Sequence, residues 1–446
     1  MQKTQDLTEG PLGKQILKFS FPLIISNVLQ VLFNMSDIAV VGQFSGSAAL
    51  GAVGSTTTLV VLFTGFLIGM GNGVNVLVAQ YFGAKSKKDI EETVHSSAII
   101  CFLTGLLTLV FGICFSRALL ELLHTKSELI GGATLYLRIY FLGMPALALY
   151  NFGNGIFSAV GDTKRPLYYL TAAGIINVIL NLFFVIVCDM NVAGVAAASV
   201  ISQYISAALI VISLLRSKQI YALRLTSLRL TRTKAYRVMA IGIPAGIQNA
   251  IFQIANLFIQ AGVNSFDATV VEGNSAAANA DALVYDVMSA FYMACSSFMG
   301  QNYGANRKDR VLKSYFISLA YSFGFGTILG LLLVVFGREF LSLFTTETAV
   351  ADAGMNRLTV MGFSYAISAF MDCSIAASRG LGKSLVPTVI VIMGSCVFRV
   401  VWVYTVFAYF GTIFSLYLLY AFSWSLTAVA EIIYLVYCYK KQMIEA

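Results

Sequence analysis

Long apolar runs, separated by short polar or Gly/Pro-containing breaks, make up most of the chain. They fall near residues 19–41, 50–80, 93–115, 133–159, 167–188, 193–215, 238–264, 277–300, 314–336, 355–378, 386–409 and 413–438. A helix needs about 20 apolar residues to cross a bilayer. Lipid leaves exposed backbone groups unsatisfied, so runs of this length must be helices rather than isolated strands. The pattern predicts an all-α integral membrane protein with twelve transmembrane helices. The eighth run gives the weakest signal, being rich in Ala and Ser and carrying Asp281 and Asp286.

Composition agrees with the pattern. The 446 residues are 58% hydrophobic and 11% charged, with a mean hydropathy of +0.81, whereas a soluble domain is about 25% charged. Charge this sparse does not coat a folded surface in water, which excludes soluble globular and disordered classes. The formal net charge of +8 is read as topogenic rather than as a nucleic-acid footprint. All but six of the 29 basic residues fall at the termini or in the 2–3, 4–5, 6–7, 8–9 and 10–11 connections; the exceptions are Arg117, Lys126, Arg138, Arg338, Arg357 and Arg399. The positive-inside rule then places both termini in the cytoplasm of a multi-pass cell-membrane protein. The seven cysteines form no CxxC pair and read as small buried hydrophobes.

The chain is internally duplicated. Pro22, Asn27 and Asn34 match Pro244, Asn249 and Asn256 at one constant offset. Gln80-Tyr-Phe-Gly83-Ala84 then matches Gln301-Asn-Tyr-Gly304-Ala305, with the offset shorter by one. The shorter offset holds through Phe115, Arg117, Gly161 and Pro166, which match Phe336, Arg338, Gly382 and Pro387. Each repeat holds six spans, an even number, so both enter the membrane in the same direction. The expected architecture is two six-helix lobes, 1–215 and 238–446, related by a pseudo-twofold axis along the membrane normal and joined by a basic cytoplasmic linker, 216–237. Parallel repeats of this kind are a transporter architecture.

Candidate chemistry lies in polar residues inside spans. Asn27, Gln30, Asn34 and Asp37 form a helical-period stripe on the first span, and Asn249, Gln253, Asn256 and Gln260 form another on the seventh. Such stripes bond helix to helix or line a cleft. Asp37 stands apart, because intramembrane acids are costly and typically serve ion or proton pathways. Asp286 lies among Tyr285, Met288, Phe291 and Tyr292, a surface suited to a bulky amphipathic cation or to packing. Asp372 is either a second acid or a partner of Arg399, and Glu431 snorkels or pairs structurally. Gly65, Gly69 and Gly73 form overlapping GxxxG motifs for close helix packing. Gly380-Leu-Gly382-Lys383-Ser384 resembles the end of a phosphate-binding loop, but Ala377 stands where its first glycine belongs. With two histidines far apart and no HExxH, a metal hydrolase is not indicated.

Taken in order, several short motifs resemble the multidrug and toxic compound extrusion (MATE) transporters over essentially the whole chain. They are Pro22 through Asn34-Met-Ser-Asp37 and Val41-Gly42, Gln80-Tyr-Phe-Gly83-Ala84, Gly161-Asp-Thr-Lys-Arg-Pro166, Asn177-Val-Ile-Leu-Asn181 and Gly194-Val-Ala-Ala-Ala-Ser199. The second half adds Gly242-Ile-Pro244-Ala-Gly246, Gly300-Gln-Asn-Tyr-Gly304-Ala305 and Arg379-Gly380-Leu-Gly382. The resemblance implies a secondary antiporter, acting as a monomer and without a cofactor. It would export small organic, cationic amphipathic compounds in exchange for H+ or Na+. It also implies a coupling-ion site at Asp37, Asn177, Asn181 and Ser199, with Asn181 standing where many members carry a second acid. Gln30, Asn34, Gln253, Asn256, Tyr285, Asp286, Met288 and Asp372 are the expected substrate-binding residues. The alternatives are a flippase for lipid-linked saccharides, which calls for a more basic cavity, and an integral-membrane enzyme, for which no catalytic set is present. No nucleic-acid partner is expected.

Overall fold

The computed structural model describes residues 6–444. Eleven helices are long and apolar enough to cross a membrane, or twelve when one bent pair is counted as a single span. In order these are Leu12–Phe44, Gly46–Gly83, Lys87–Leu122, the pair Ser127–Phe141 and Met144–Ala159, Lys164–Val187, Asn191–Leu215, Arg232–Val263, Ala268–Gly304, Lys308–Val335, Thr348–Gly380, Leu385–Phe410 and Ile413–Gln442. They are called spans 1 to 12 below. The fourth differs from the unbroken run expected over 133–159: it bends by 47° between Phe141 and Met144. Pro145 opens the second piece, where its ring is tolerated because a first-turn amide needs no helical partner. The eighth span is a regular 37-residue helix, capped by Asp267, whose side chain accepts the Val270 amide at 3.0 Å.

The helices form two compact units, one built on Ile25–Ala250 and the other on Leu7–Ile24 together with the chain from Ile251 onward. Spans 1 and 7 thus each contribute to both units. In each repeat a glycine with positive φ, Gly161 and Gly382 (both +81°), follows the fourth helix. A side chain at either position would be strained, which accounts for the match between these two sites.

In unit 1, span 2 runs against the first half of span 7 through the glycine stripe. A Cβ added to Gly69 would lie 2.2 Å from the amide nitrogen of Gly246, and one on Gly73 would lie 2.6 Å from the Val238 carbonyl. Asn249 then donates to the Gly65 carbonyl at 2.9 Å. The apolar interior includes Val74, Phe152, Phe157 and Ile210 in one cluster and Leu67, Leu137 and Phe141 in another.

The 216–237 segment is docked on this unit. Tyr221 is 1% exposed and sits edge-on to Phe157. His95 Nε2 accepts the Arg224 amide at 3.1 Å, Ser96 Oγ accepts the Thr231 amide at 2.9 Å, and Lys234 Nζ lies 2.5 Å from Asp89.

Unit 2 has its own core around Met288, Tyr365, Cys373, Leu416 and Tyr417. A second cluster packs Leu7, Ile16 and Phe19 against Phe291 and Phe298. The start of the described chain is held by side chains: the Leu7 amide donates to Gln301 Oε1 at 3.0 Å and Arg310 Nη1 donates to the Gly10 carbonyl at 2.9 Å. Five of the seven cysteines are buried as expected; Cys114 and Cys188 are exposed instead. Cys114 faces outward on span 3 and Cys188 lies just past the end of span 5, and hydropathy does not distinguish either from core.

The span 2–span 7 contact is testable. Gly69→Ala should destabilise the protein by about 1–3 kcal/mol through overpacking. Gly54→Ala, where an added Cβ meets nothing within 4 Å, should be neutral or slightly stabilising. Thermal melting of the two detergent-solubilised variants decides; equal melting temperatures would contradict the packing.

Candidate functional site

In unit 1 the structure brings together the four residues expected to form the ion site. Asp37 lies near the end of span 1. Asn177 and Asn181 project one turn apart from span 5, and Ser199 comes from span 6. Their register follows from a close contact below them. Gly174, two turns before Asn181, receives the ring of Phe33, one turn before Asp37; a Cβ on Gly174 would lie 1.9 Å from that ring. Asn181 Nδ2 donates to Asp37 Oδ1 and to Asn177 Oδ1, the latter at 3.3 Å. Ser199 Oγ donates to Asp37 Oδ2 at 3.2 Å. Asn181 is fully buried, and its Oδ1 has no hydrogen-bond partner. No Lys or Arg nitrogen lies within 4.0 Å of the Asp37 carboxylate among the described residues. The site is one formal negative charge among neutral amides and a hydroxyl.

The stacked rings of Tyr136 and Tyr140 on span 4, with centroids 5.8 Å apart, lie within electrostatic range of Asp37. The sequence reading missed both. Their one-turn spacing beside Arg138 was the available signal.

The expected substrate residues are scattered. Gln30 and Asn34 are exposed on span 1, Gln253 is partly exposed on span 7, and Asn256 is exposed but bonded to Arg399. On span 8, Tyr285 is exposed, Asp286 is half-buried and Met288 is buried in the unit 2 core. In the second polar stripe, Asn249 serves helix packing in unit 1, and Gln260 bonds Asn264 and Asn274 in unit 2.

Unit 2 contains a buried ion pair that the sequence did not single out. Arg357 on span 10 meets Asp281 on span 8 through two nitrogens, at 2.6 and 2.8 Å. Its Nη1 donates to Asn274 Oδ1 at 2.7 Å, and its guanidinium lies 5.6 and 5.4 Å from the rings of Tyr417 and Tyr420. Tyr365 donates to the other oxygen of Asp281, and Tyr417 donates to Asn274 at 3.0 Å. Such a two-nitrogen contact fixes orientation as well as charge.

Asp372 and Glu431 act electrostatically on Arg379. Glu431 does not snorkel: it is fully buried, and neither carboxylate oxygen has a hydrogen bond. Asp372 is not in ion-pair contact with Arg399. The Arg399 guanidinium bonds Asn256 and Ser423 instead, each at 3.3 Å.

Comparison with known proteins fits this arrangement. The MatE family profile matches the chain twice, over residues 22–183 and 244–405; the two matches begin at Pro22 and Pro244, which the internal repeat pairs. The chain is 30% identical over 371 residues to the probable multidrug resistance protein YpnP of Bacillus subtilis (strain 168), with 81% of each covered. It is 24% identical over 356 residues to a protein named FAD transporter from Shewanella oneidensis, covering 79% of this chain and 78% of that one. A crystal structure of MATE in complex with MaL6 superposes with a TM-score of 0.92 at 19% identity, covering 99% of both chains. At that identity what is shared is the fold.

Removing one partner of a buried ion pair strands the other charge, at about 3–5 kcal/mol. Asp281→Ala should therefore destabilise the protein by that amount, while the double change Asp281→Ala with Arg357→Met should recover a substantial part. Equilibrium unfolding in mixed micelles measures both, and strict additivity of the two single changes would show that the charges are not coupled.

Proposed function

The chain belongs to the MATE family of multidrug transporters, and from that premise we propose that it works as a secondary antiporter. In this reading it exports organic, cationic amphipathic compounds in exchange for H+ or Na+ by alternating access. It does so in the cell membrane with both termini in the cytoplasm. The coupling ion is handled in unit 1 by Asp37, Asn177, Asn181 and Ser199.

The observation that carries the reading is the composition of that site. A lone carboxylate inside a membrane span is costly when ionised, and here it is balanced by neutral donors only. Adding one proton or one monovalent cation cancels its charge. The unpartnered Oδ1 of Asn181 is an acceptor of the kind that a protonated carboxyl or a bound cation requires. An amide rotation exchanges Oδ1 and Nδ2, so Asn181 can serve either charge state of Asp37.

Neutralising Asp37 also changes what holds span 1 against spans 5 and 6. Pro22 lies within the continuous helix of span 1; its missing amide removes one helical hydrogen bond and leaves a place to bend. If the coupling ion and the substrate favour opposite-facing states, each promotes release of the other by linkage. A ligand drives such an exchange only to the extent that its affinity differs between the two states. One charge gained or lost in a poorly solvated site supplies such a difference.

The test uses purified protein in liposomes, with ethidium efflux followed under separately imposed H+ and Na+ gradients. Wild-type protein should respond to at least one gradient. Asp37→Asn should reduce gradient-driven efflux to background while keeping the wild-type melting profile, and Asn181→Ala should slow it. Wild-type rates in Asp37→Asn would overturn the assignment of the coupling site.

A further inference from the structure

Unit 2 buries a second guanidinium that none of the functions above uses. Arg399 is 2% exposed and lies near the middle of span 11. Unlike Arg357, it has no carboxylate within 4.0 Å among the described residues. Asp372 acts on it only at longer range. Its polar contacts are two neutral oxygens, Asn256 Oδ1 and Ser423 Oγ, both at 3.3 Å. A guanidinium offers five N–H donors in a rigid fork, and these bonds engage Nε and Nη1. Burying an ion costs several kcal/mol unless charge and hydrogen bonds are both supplied, so this side chain lacks acceptors.

The surroundings specify what would supply them. The rings of Phe252, Tyr420 and Trp424 stand 5.3, 4.8 and 5.8 Å from the guanidinium carbon. They hold the cation through their faces but accept none of its directional bonds. Arg357 lies on the same Tyr420 ring at 5.4 Å, already compensated by Asp281. The pair of arginines around Tyr420 therefore has one close counter-charge for two cations.

The site also has an approach: Asn256 is exposed, and Phe252 and Trp424 are only partly covered. The helix around Arg399 is locally wound. The turn Phe398–Trp402 lies between π-helical segments at Ile392–Val397 and Val403–Phe407, and π-helical insertions recur at functional sites.

We propose that Arg399 and Asn256, walled by Phe252, Tyr420 and Trp424, form a subsite in unit 2 for an oxyanion carried on a planar aromatic ligand. This rests on the transport reading only in supposing that such a ligand is cargo in addition to the cationic compounds; binding itself is independent of coupling. A carboxylate or a phosphate would meet the free edge of the fork in the bidentate manner that arginine favours. The flat ring system would lie against the aromatic walls, as in apolar pockets with a few convergent polar groups.

The experiment is calorimetric titration of the full-length, detergent-solubilised protein with 1-naphthoate, 1-naphthyl phosphate and the neutral 1-naphthamide. Wild-type protein should bind at least one of the anions at least tenfold more tightly than the amide, and the preferred anion separates carboxylate from phosphate cargo. Arg399→Gln should lose that preference; Arg399→Lys, which keeps the charge but not the fork, should retain only part of it. Should Arg399→Gln fail to fold, Asn256→Leu, a change at an exposed position, should weaken anion binding more than amide binding and so narrow the preference. Equal affinities for anion and amide in the wild type, or an undiminished preference in Arg399→Gln or Asn256→Leu, would overturn the proposal. Ethidium efflux by the wild-type protein under an imposed gradient tests the antiport reading separately, so either can fail alone.

Discussion

The cost of taking charge out of water organises this molecule. Moving an ion into a poorly solvated interior costs several kcal/mol after relaxation, and lipid offers no water to share the load. Few charges are therefore placed inside spans, and four of them are compensated to different degrees. Asp281 and Arg357 cancel one another and are further bonded by Asn274 and Tyr365. Asp37 receives neutral donors only. Arg399 receives two neutral acceptors and three aromatic faces. Differences in how completely each charge is compensated separate a structural ion pair from candidate working groups.

The duplication explains why these arrangements differ between units. What the two repeats share is the scaffold: the prolines in spans 1 and 7, the glycine turns at Gly161 and Gly382, and the QxxGA segments that end spans 2 and 8. What they do not share is the chemistry. The repeat sets Ile259 opposite Asp37. Unit 2 therefore holds no copy of the unit 1 site. In the other direction, Arg357 falls opposite Tyr136, one of the two tyrosines beside Asp37. The place that holds a tyrosine near the anion in one unit thus holds an ion-paired arginine in the other.

Much of this was legible in the chain itself, for physical reasons that also mark where legibility stops. Twelve spans could be read because each must be long and apolar, whatever its neighbours. The glycine stripe on span 2 could be read because only glycine permits the contact it makes with Gly246. Asp37 stood out because an acid in an apolar run is expensive, and family resemblance supplied its partners Asn177, Asn181 and Ser199. The bend at residues 142–143 stayed hidden, since apolar composition continues unbroken through it. The Asp281–Arg357 pair stayed hidden because its members lie 76 residues apart on different spans, and each alone looked like a lapse in its own hydrophobic run. The docking of Tyr221 and Arg224 on unit 1 was masked by the basic composition of 216–237, which reads as a solvated connection.

Compensation also constrains how transport and recognition divide between the units. The Asp281–Arg357 pair is internally neutral, so occupancy of a nearby site need not alter its charge. Asp37 has no such partner, so on the proposed reading one proton or monovalent cation changes the net charge of its site from minus one to zero. That change occurs where the Phe33 ring packs against Gly174 of span 5. On the proposed reading, conformational work belongs with Asp37, whose charge varies. On the same reading, discrimination among ligands belongs with Arg399, whose guanidinium keeps its charge. A group that never loses its charge is poorly suited to coupling and well suited to selection. A lone carboxylate among amides is suited to the reverse.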